Sequence, residues 1–169
     1  LLQGNETQAK SSFDNAAQVL EGYIPALLAK ARMAFNEGDY KAALKHYCDT
    51  LRAKPDCPAE VRLGIAVCYY RLQKPELAKK AFMRVLQMGP ADQPNVDALM
   101  GLAMLELNDP DNDANEAIKV ALTYAKTAYE LGPVGQTNSK VLNYLADHFF
   151  FKKNFKYSEE LAISGFHQY

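Results

Sequence analysis

An alanine, a second residue four positions on and a proline eight beyond that recur along this chain. The sets are Ala43, Tyr47 and Pro55; Ala78, Phe82 and Pro90; and Ala121, Ala125 and Pro133. The first two match position for position at a spacing of 35 residues. A lattice of this period marks a run of short supersecondary units, each too small to bury its apolar face except against the next. Within each unit the apolar residues recur at three and four, the period of an amphipathic helix and not of a strand. The pattern therefore demands an all-α stack of helix hairpins.

The hairpins can be followed one by one. In the first, over about residues 23–57, the leading helix places Leu27, Ala31 and Ala34 on one face. Gly38 closes it, because glycine takes the left-handed conformation at a helix end cheaply, and Asp39 caps the next helix. Ala43, Tyr47 and Leu51 form the second stripe, and Pro55 and Pro58 stop one helix and restart another. The second pair, about 58–93, repeats this with Ile65, Ala66 and Tyr69, then Ala78, Phe82 and Val85. The third, about 94–137, has Leu99, Ala103 and Glu106 in the equivalent places. Ala103 and Ala121 are 18 residues apart where Ala31 and Ala43 are 12 apart, an insertion of six at the acidic turn Asn108-Asp109-Pro110-Asp111-Asn112-Asp113. The fourth pair, about 138–169, puts Leu142, Ala146 and Phe149 on its first helix, with Phe155 and Ser158 opening the second. Residues 1–22 read as a partial repeat, whose second helix covers about 11–20. The missing initial methionine and the helical pattern running up to Tyr169 lead us to expect a piece of one longer array. Ala31, Ala66, Ala103 and Ala146 mark where two helices approach most closely, and a larger side chain there forces them apart.

Little else points to chemistry. With 19 basic and 20 acidic residues the net charge is −1, so there is no basic footprint for direct nucleic-acid binding. No apolar run approaches the roughly 18 residues that a membrane span needs. Cys48, Cys57 and Cys68 lack the tight spacing of a zinc site and read as small apolar packing residues, which suits a reducing compartment such as cytosol or nucleus. The run Asp109-x-Asp111-x-Asp113 starts like a calcium loop, but the required glycine and distal glutamate are replaced by Ala114 and Val120. His46, His148 and His167 have no nucleophile partner in any recognisable arrangement. The expectation is a chain without catalytic residues, metal or cofactor.

The alanine–aromatic–proline lattice resembles the tetratricopeptide (TPR) repeat, which implies a superhelical solenoid of antiparallel helix pairs whose first helices line a concave groove. Relative to the small residue of each first helix, the groove-facing places then fall three before and one, four and five after. They are Leu28, Arg32, Phe35 and Asn36; Leu63, Val67, Tyr70 and Arg71; Met100, Met104, Leu107 and Asn108; and Asn143, Asp147, Phe150 and Phe151. Some TPR modules, the co-chaperone adaptors, hold a partner's terminal carboxylate with Lys, Arg and Asn at such places. This set is mainly apolar and aromatic, the composition of a protein interface. The partner-binding residues expected are Leu28, Arg32, Phe35, Leu63, Val67, Tyr70, Arg71, Met100, Met104 and Leu107. An adaptor for peptide termini is the alternative.

Longer strings are more specific. Ile24-Pro25-Ala26-Leu27-Leu28, Cys57-Pro58-Ala59-Glu60-Val61-Arg62-Leu63-Gly64, Gly101-Leu102-Ala103-Met104-Leu105-Glu106-Leu107-Asn108 and Leu142-Asn143-Tyr144-Leu145-Ala146-Asp147-His148-Phe149-Phe150-Phe151 resemble the TPR scaffold subunits of the Paf (RNA polymerase II-associated factor) complex. The resemblance covers most of residues 20–155. It implies a nuclear, non-enzymatic scaffold for transcription elongation and histone modification. Its groove would hold the Paf subunit, with a parafibromin-like subunit nearby and RNA polymerase II reached indirectly.

Overall fold

The computed structural model describes residues 8, 11–13, 15, 16, 23–90 and 93–166, and every regular element among them is helical. The helices are α1 (Ile24–Asn36), α2 (Tyr40–Ala53), α3 (Ala59–Arg71), α4 (Pro75–Met88), α5 (Val96–Asn108), α6 (Ala114–Glu130), a short α7 (Pro133–Gln136), α8 (Ser139–Phe151) and α9 (Phe155–Phe166). Half of the expected helix over 11–20 lies outside the described residues; 11–13, 15 and 16 are helical. Contacts group the chain into two compact units, residues 1–81 and 82–169.

In the first unit, α1 turns into α2 at Gly38, whose φ of +83° is the left-handed conformation expected there. The Asp39 carboxylate accepts the Ala42 N–H at 3.0 Å, so the predicted cap is present. The turn after α3 has the same form with Gln73 in the left-handed place at φ 57°. Its Lys74 N–H reaches back to the Tyr69 carbonyl at 3.0 Å. Ala31, Ala43, Ala66 and Cys68 are fully buried, which lets the helices approach. Between α2 and α3, the Tyr47 ring lies directly on Gly64: a Cβ there would sit 2.6–2.8 Å from three ring atoms. Burial raises the Tyr47 pKa, with Cys68 adding to the shift and Arg32 opposing it. Burial, helped by Cys48, pushes the Cys68 thiol to about 11. The loop from α2 to α3 is clasped by Arg62, whose guanidinium donates to the Pro55 carbonyl at 2.6 Å and to the Cys57 carbonyl at 3.0 Å.

In the second unit the aromatic-on-glycine contact recurs. Phe82 is 3% exposed, and a Cβ on Gly101 of α5 would come within 2.5–2.8 Å of its ring. At the next junction the sizes are exchanged. Ala125 stands where the aromatic would be and is fully buried, and Tyr144 of α8 packs on the cluster that contains it. Ala103, Ala121 and Ala146 are buried as the lattice requires. Ser158 replaces the fourth alanine, and its hydroxyl donates to the Ala146 carbonyl at 2.8 Å.

The insertion resolves differently from a longer turn alone. The α5–α6 turn has five residues, 109–113, against three between α1 and α2. The other four extend α6 at its start, because Ala121 is its eighth residue whereas Ala43 is the fourth of α2. Asp113 makes this possible by accepting the N–H groups of Asn115 and Glu116, both at 3.1 Å, which nucleates an extra helical turn. Pro133 does not simply end a helix. It opens α7, where a Cβ on Gly135 would overlap the Ala128 carbonyl. Asn138 then caps α8 by accepting from Lys140 at 3.0 Å and Val141 at 3.4 Å.

Candidate partner-binding faces

The residues expected to meet a partner lie on one stripe of each first helix. Leu28, Arg32 and Phe35 step by four and three along α1, and Leu63, Val67 and Tyr70 do the same along α3. Leu28, Phe35, Leu63, Val67 and Tyr70 are half-buried, with Arg32 and Arg71 exposed. Side chains in that intermediate state leave apolar surface in water that a partner can cover.

Tyr40 organises the end of this face, and the groove spacing did not pick it out. Its ring meets the edge of Phe35 with centroids 5.2 Å apart at 64°. The Arg71 guanidinium carbon lies 5.9 Å above the same ring. This stack ties the end of α1 to the end of α3 through the first residue of α2, and it holds the Arg71 cation over an aromatic face. The available signal was Tyr40 following a Gly-Asp turn. That signal places it at the start of a helix and says nothing of what crosses its ring.

In the second unit Met104 and Leu107 are 45% and 38% exposed on α5. Met100 is not available: it is 4% exposed and belongs to the core cluster with Ala125 and Ala128 of α6 and Val141, Leu142 and Leu145 of α8. The place three residues before Ala103 faces the seam to the following helices, so the groove expectation for Met100 is corrected. The end of α5 is closed by the Asn108 amide, which donates to the Met104 carbonyl at 2.7 Å. Of the further places, Asn143, Asp147, Phe150 and Phe151 are all exposed.

Asp109 and Asp113 accept backbone N–H groups of their own turn. An open cleft of about 240 Å³ in the second unit is lined by Lys126, Tyr129, Glu130, Leu145, Phe149 and Tyr157. Its aromatic wall is an edge-to-face pair, Phe149 and Tyr157, 4.8 Å apart. Beside it, burial lowers the His148 pKa, and Lys152 and Lys126 lower it further. Among the described residues no group of three or more His, Cys, Asp or Glu side chains converges as a metal site would, and no helix is long and apolar enough to cross a membrane.

Paired helices, small residues at each crossing and an open apolar stripe on the first helices are the features of the tetratricopeptide-repeat fold. Residues 34–105 match the family model described as tetratricopeptide repeat. Among solved structures, the fold is similar to MamA (TM-score 0.66, 11% identity, 98% of this chain and 90% of that one). It is also similar to YrrB, titled a TPR protein with an unusual peptide-binding site (TM-score 0.59, 15% identity, 96% and 77%).

Sequence relatives are more particular, and three of them are named CTR9. The Arabidopsis thaliana protein CTR9 homolog is 38% identical over 152 residues, 85% of this chain and 13% of the relative. The Caenorhabditis elegans RNA polymerase-associated protein CTR9 is 36% identical over 155 residues, 91% of this chain and 13% of the relative. The Saccharomyces cerevisiae protein of the same name is 26% identical over 133 residues, 77% and 12%. The chain thus spans about an eighth of the length of these relatives.

Proposed function

We propose that this chain is a scaffold segment of the Paf transcription elongation complex, in which the stripes on its first helices bind extended segments of partner subunits. The observation that carries the reading is the half-buried apolar stripe Leu28, Phe35, Leu63, Val67 and Tyr70, with Arg32 and Arg71 exposed among it. Met104 and Leu107 offer a second apolar stretch on α5. Such a surface suits an apolar segment of a partner, with rim cations setting orientation. The similarity to proteins named RNA polymerase-associated supports the setting: a nuclear complex that accompanies RNA polymerase II and promotes elongation and histone modification, with the Paf subunit as the segment bound and a parafibromin-like subunit nearby.

Arg71 is stacked on Tyr40, which leaves it poorly placed for a carboxylate clamp of the co-chaperone kind. Tyr70→Asp and Met104→Asp, made separately, abolish capture of the Paf subunit while helicity by circular dichroism is retained. Undiminished capture by both variants, or tight binding of a carboxylate-ended peptide that depends on Arg32 and Arg71, overturns the reading.

A further inference from the structure

The turn from α8 to α9 carries three exposed aromatic rings among three lysines. Phe150, Phe151 and Phe155 are 54%, 82% and 57% exposed. Phe150 is the centre of the group, with ring centroids 5.9 Å from Phe151 and 5.4 Å from Phe155, both edge-to-face. Lys152, Lys153 and Lys156 are exposed between them, and residues 150–156 contain no Asp or Glu. Among the described residues none of these three ammonium groups makes an ion pair.

The backbone adds a second observation. Lys153 is held at φ 60°, in the left-handed place that Gly38 fills in the α1–α2 turn. A side-chain-bearing residue is less stable there than glycine. The turn therefore presents a third cation at some cost to its own stability.

An apolar cluster ringed by cations is complementary to a segment bearing both apolar side chains and carboxylates. We propose that the α8–α9 turn docks an acidic peptide segment of a partner protein, with apolar side chains on the phenylalanine cluster and carboxylates on the lysines. A peptide suits the surface better than a nucleic acid. The rings stand at 84° and 69° to one another and offer no run of parallel faces for stacked bases. The net charge of −1 supplies no wide basic field. Phe150 and Phe151 fill groove-facing places at the end of α8, whereas the stripe residues that carry the reading above lie on α1, α3 and α5. Variants of Tyr70 and Met104 test that reading and variants of Phe151 and Phe155 test this one, so each can fail alone.

The test is fluorescence anisotropy with the 169-residue chain. The probes are a short labelled peptide alternating Glu with Leu and Phe, its Gln-for-Glu analogue, and a single-stranded RNA of similar charge. The acidic peptide binds, and Phe151→Ser and Phe155→Ser each weaken it about tenfold or more, as truncation of an aromatic anchor does. Lys152→Glu with Lys156→Glu weakens it further, the Gln analogue binds less tightly, and Tyr70→Asp leaves it unchanged. Lys153→Gly raises the melting temperature and still weakens the peptide, which separates binding from folding. The proposal is overturned if the acidic peptide fails to bind, if the phenylalanine variants bind it as well as the parent, if RNA binds more tightly, or if the turn mediates association of two copies that Phe151→Ser abolishes.

Discussion

Replacing Gly101 by alanine sets two opposing effects against each other, and the structure decides the sign. Gly101 lies inside α5, where alanine is favoured over glycine by roughly 0.5–1 kcal/mol. Yet the new Cβ would stand 2.5 Å from two atoms of the Phe82 ring and 2.8 Å from a third. Ordinary carbon contacts lie at about 3.5–4.0 Å, so the ring must retreat by about 1 Å. Phe82 is 3% exposed and has no solvent to retreat into. Overpacking of this kind costs about 1–3 kcal/mol, which outweighs the propensity gain. Gly101→Ala therefore destabilises by a net of about 1–2 kcal/mol and lowers Tm by about 2–8 °C for a chain of this length. Phe82→Leu, which removes the clashing ring atoms, restores part of this in the double variant, so the two changes are coupled. Gly64→Ala costs less, because the Tyr47 ring that it meets is only half-buried and can swing outward. Urea unfolding followed by circular dichroism measures the parent, the three single variants and the double variant. If Gly101→Ala is as stable as the parent or more so, or if Phe82→Leu fails to relieve it, the ring-on-glycine junction is refuted.

Three further expectations follow from particular contacts. Gly135→Ala places a Cβ on the backbone carbonyl of Ala128, which no side-chain motion relieves, so it costs about 3 kcal/mol or more and is the most damaging glycine replacement by thermal denaturation. Asp113→Ala removes the acceptor for two N–H groups at the start of α6 and costs about 1 kcal/mol, while Asp113→Asn retains most of it. The His148 pKa is lowered by burial first and then by Lys152 and Lys126, so below about pH 6.5 the unfolded chain takes up a proton that the folded one resists. This contribution is fully present above that pH and is lost as pH falls; His148→Gln flattens the stability–pH curve between pH 5 and 7, and an unchanged slope refutes the assignment.

Much of the architecture was readable from residue spacing, since helix ends and close crossings depend on local chemistry. Gly38 and Asp39 behave as a helix end and a cap because left-handed backbone and an orphan N–H are satisfied by their immediate neighbours. Ala31, Ala66, Ala103 and Ala146 are buried because a 3.6-residue period places them on one stripe in any helix. The half-buried stripe of α1 and α3 came from the places that the tetratricopeptide resemblance assigns to the groove.

It failed where a distant residue decides. Met100 and Met104 are one turn apart and chemically identical, yet one is sealed in a core and the other is open, because α6 and α8 cover only one of the two positions. Helical period confines a side chain to a sector of its own helix and carries no record of which neighbour covers that sector. Tyr40 was invisible as an organiser for the same reason, since Phe35 and Arg71 reach it from other helices.

By itself, then, the amino-acid order determined an all-α array of hairpins, most of its turns and its small-residue crossings. Tertiary structure alone decided that the aromatic-on-glycine seats at Gly64 and Gly101 give way to Ala125 with Tyr144. It also decided that the six inserted residues divide between a turn and an extra coil of α6. Packing sums volumes across elements far apart in the chain, so a large residue and its small counterpart have meaning only once they touch.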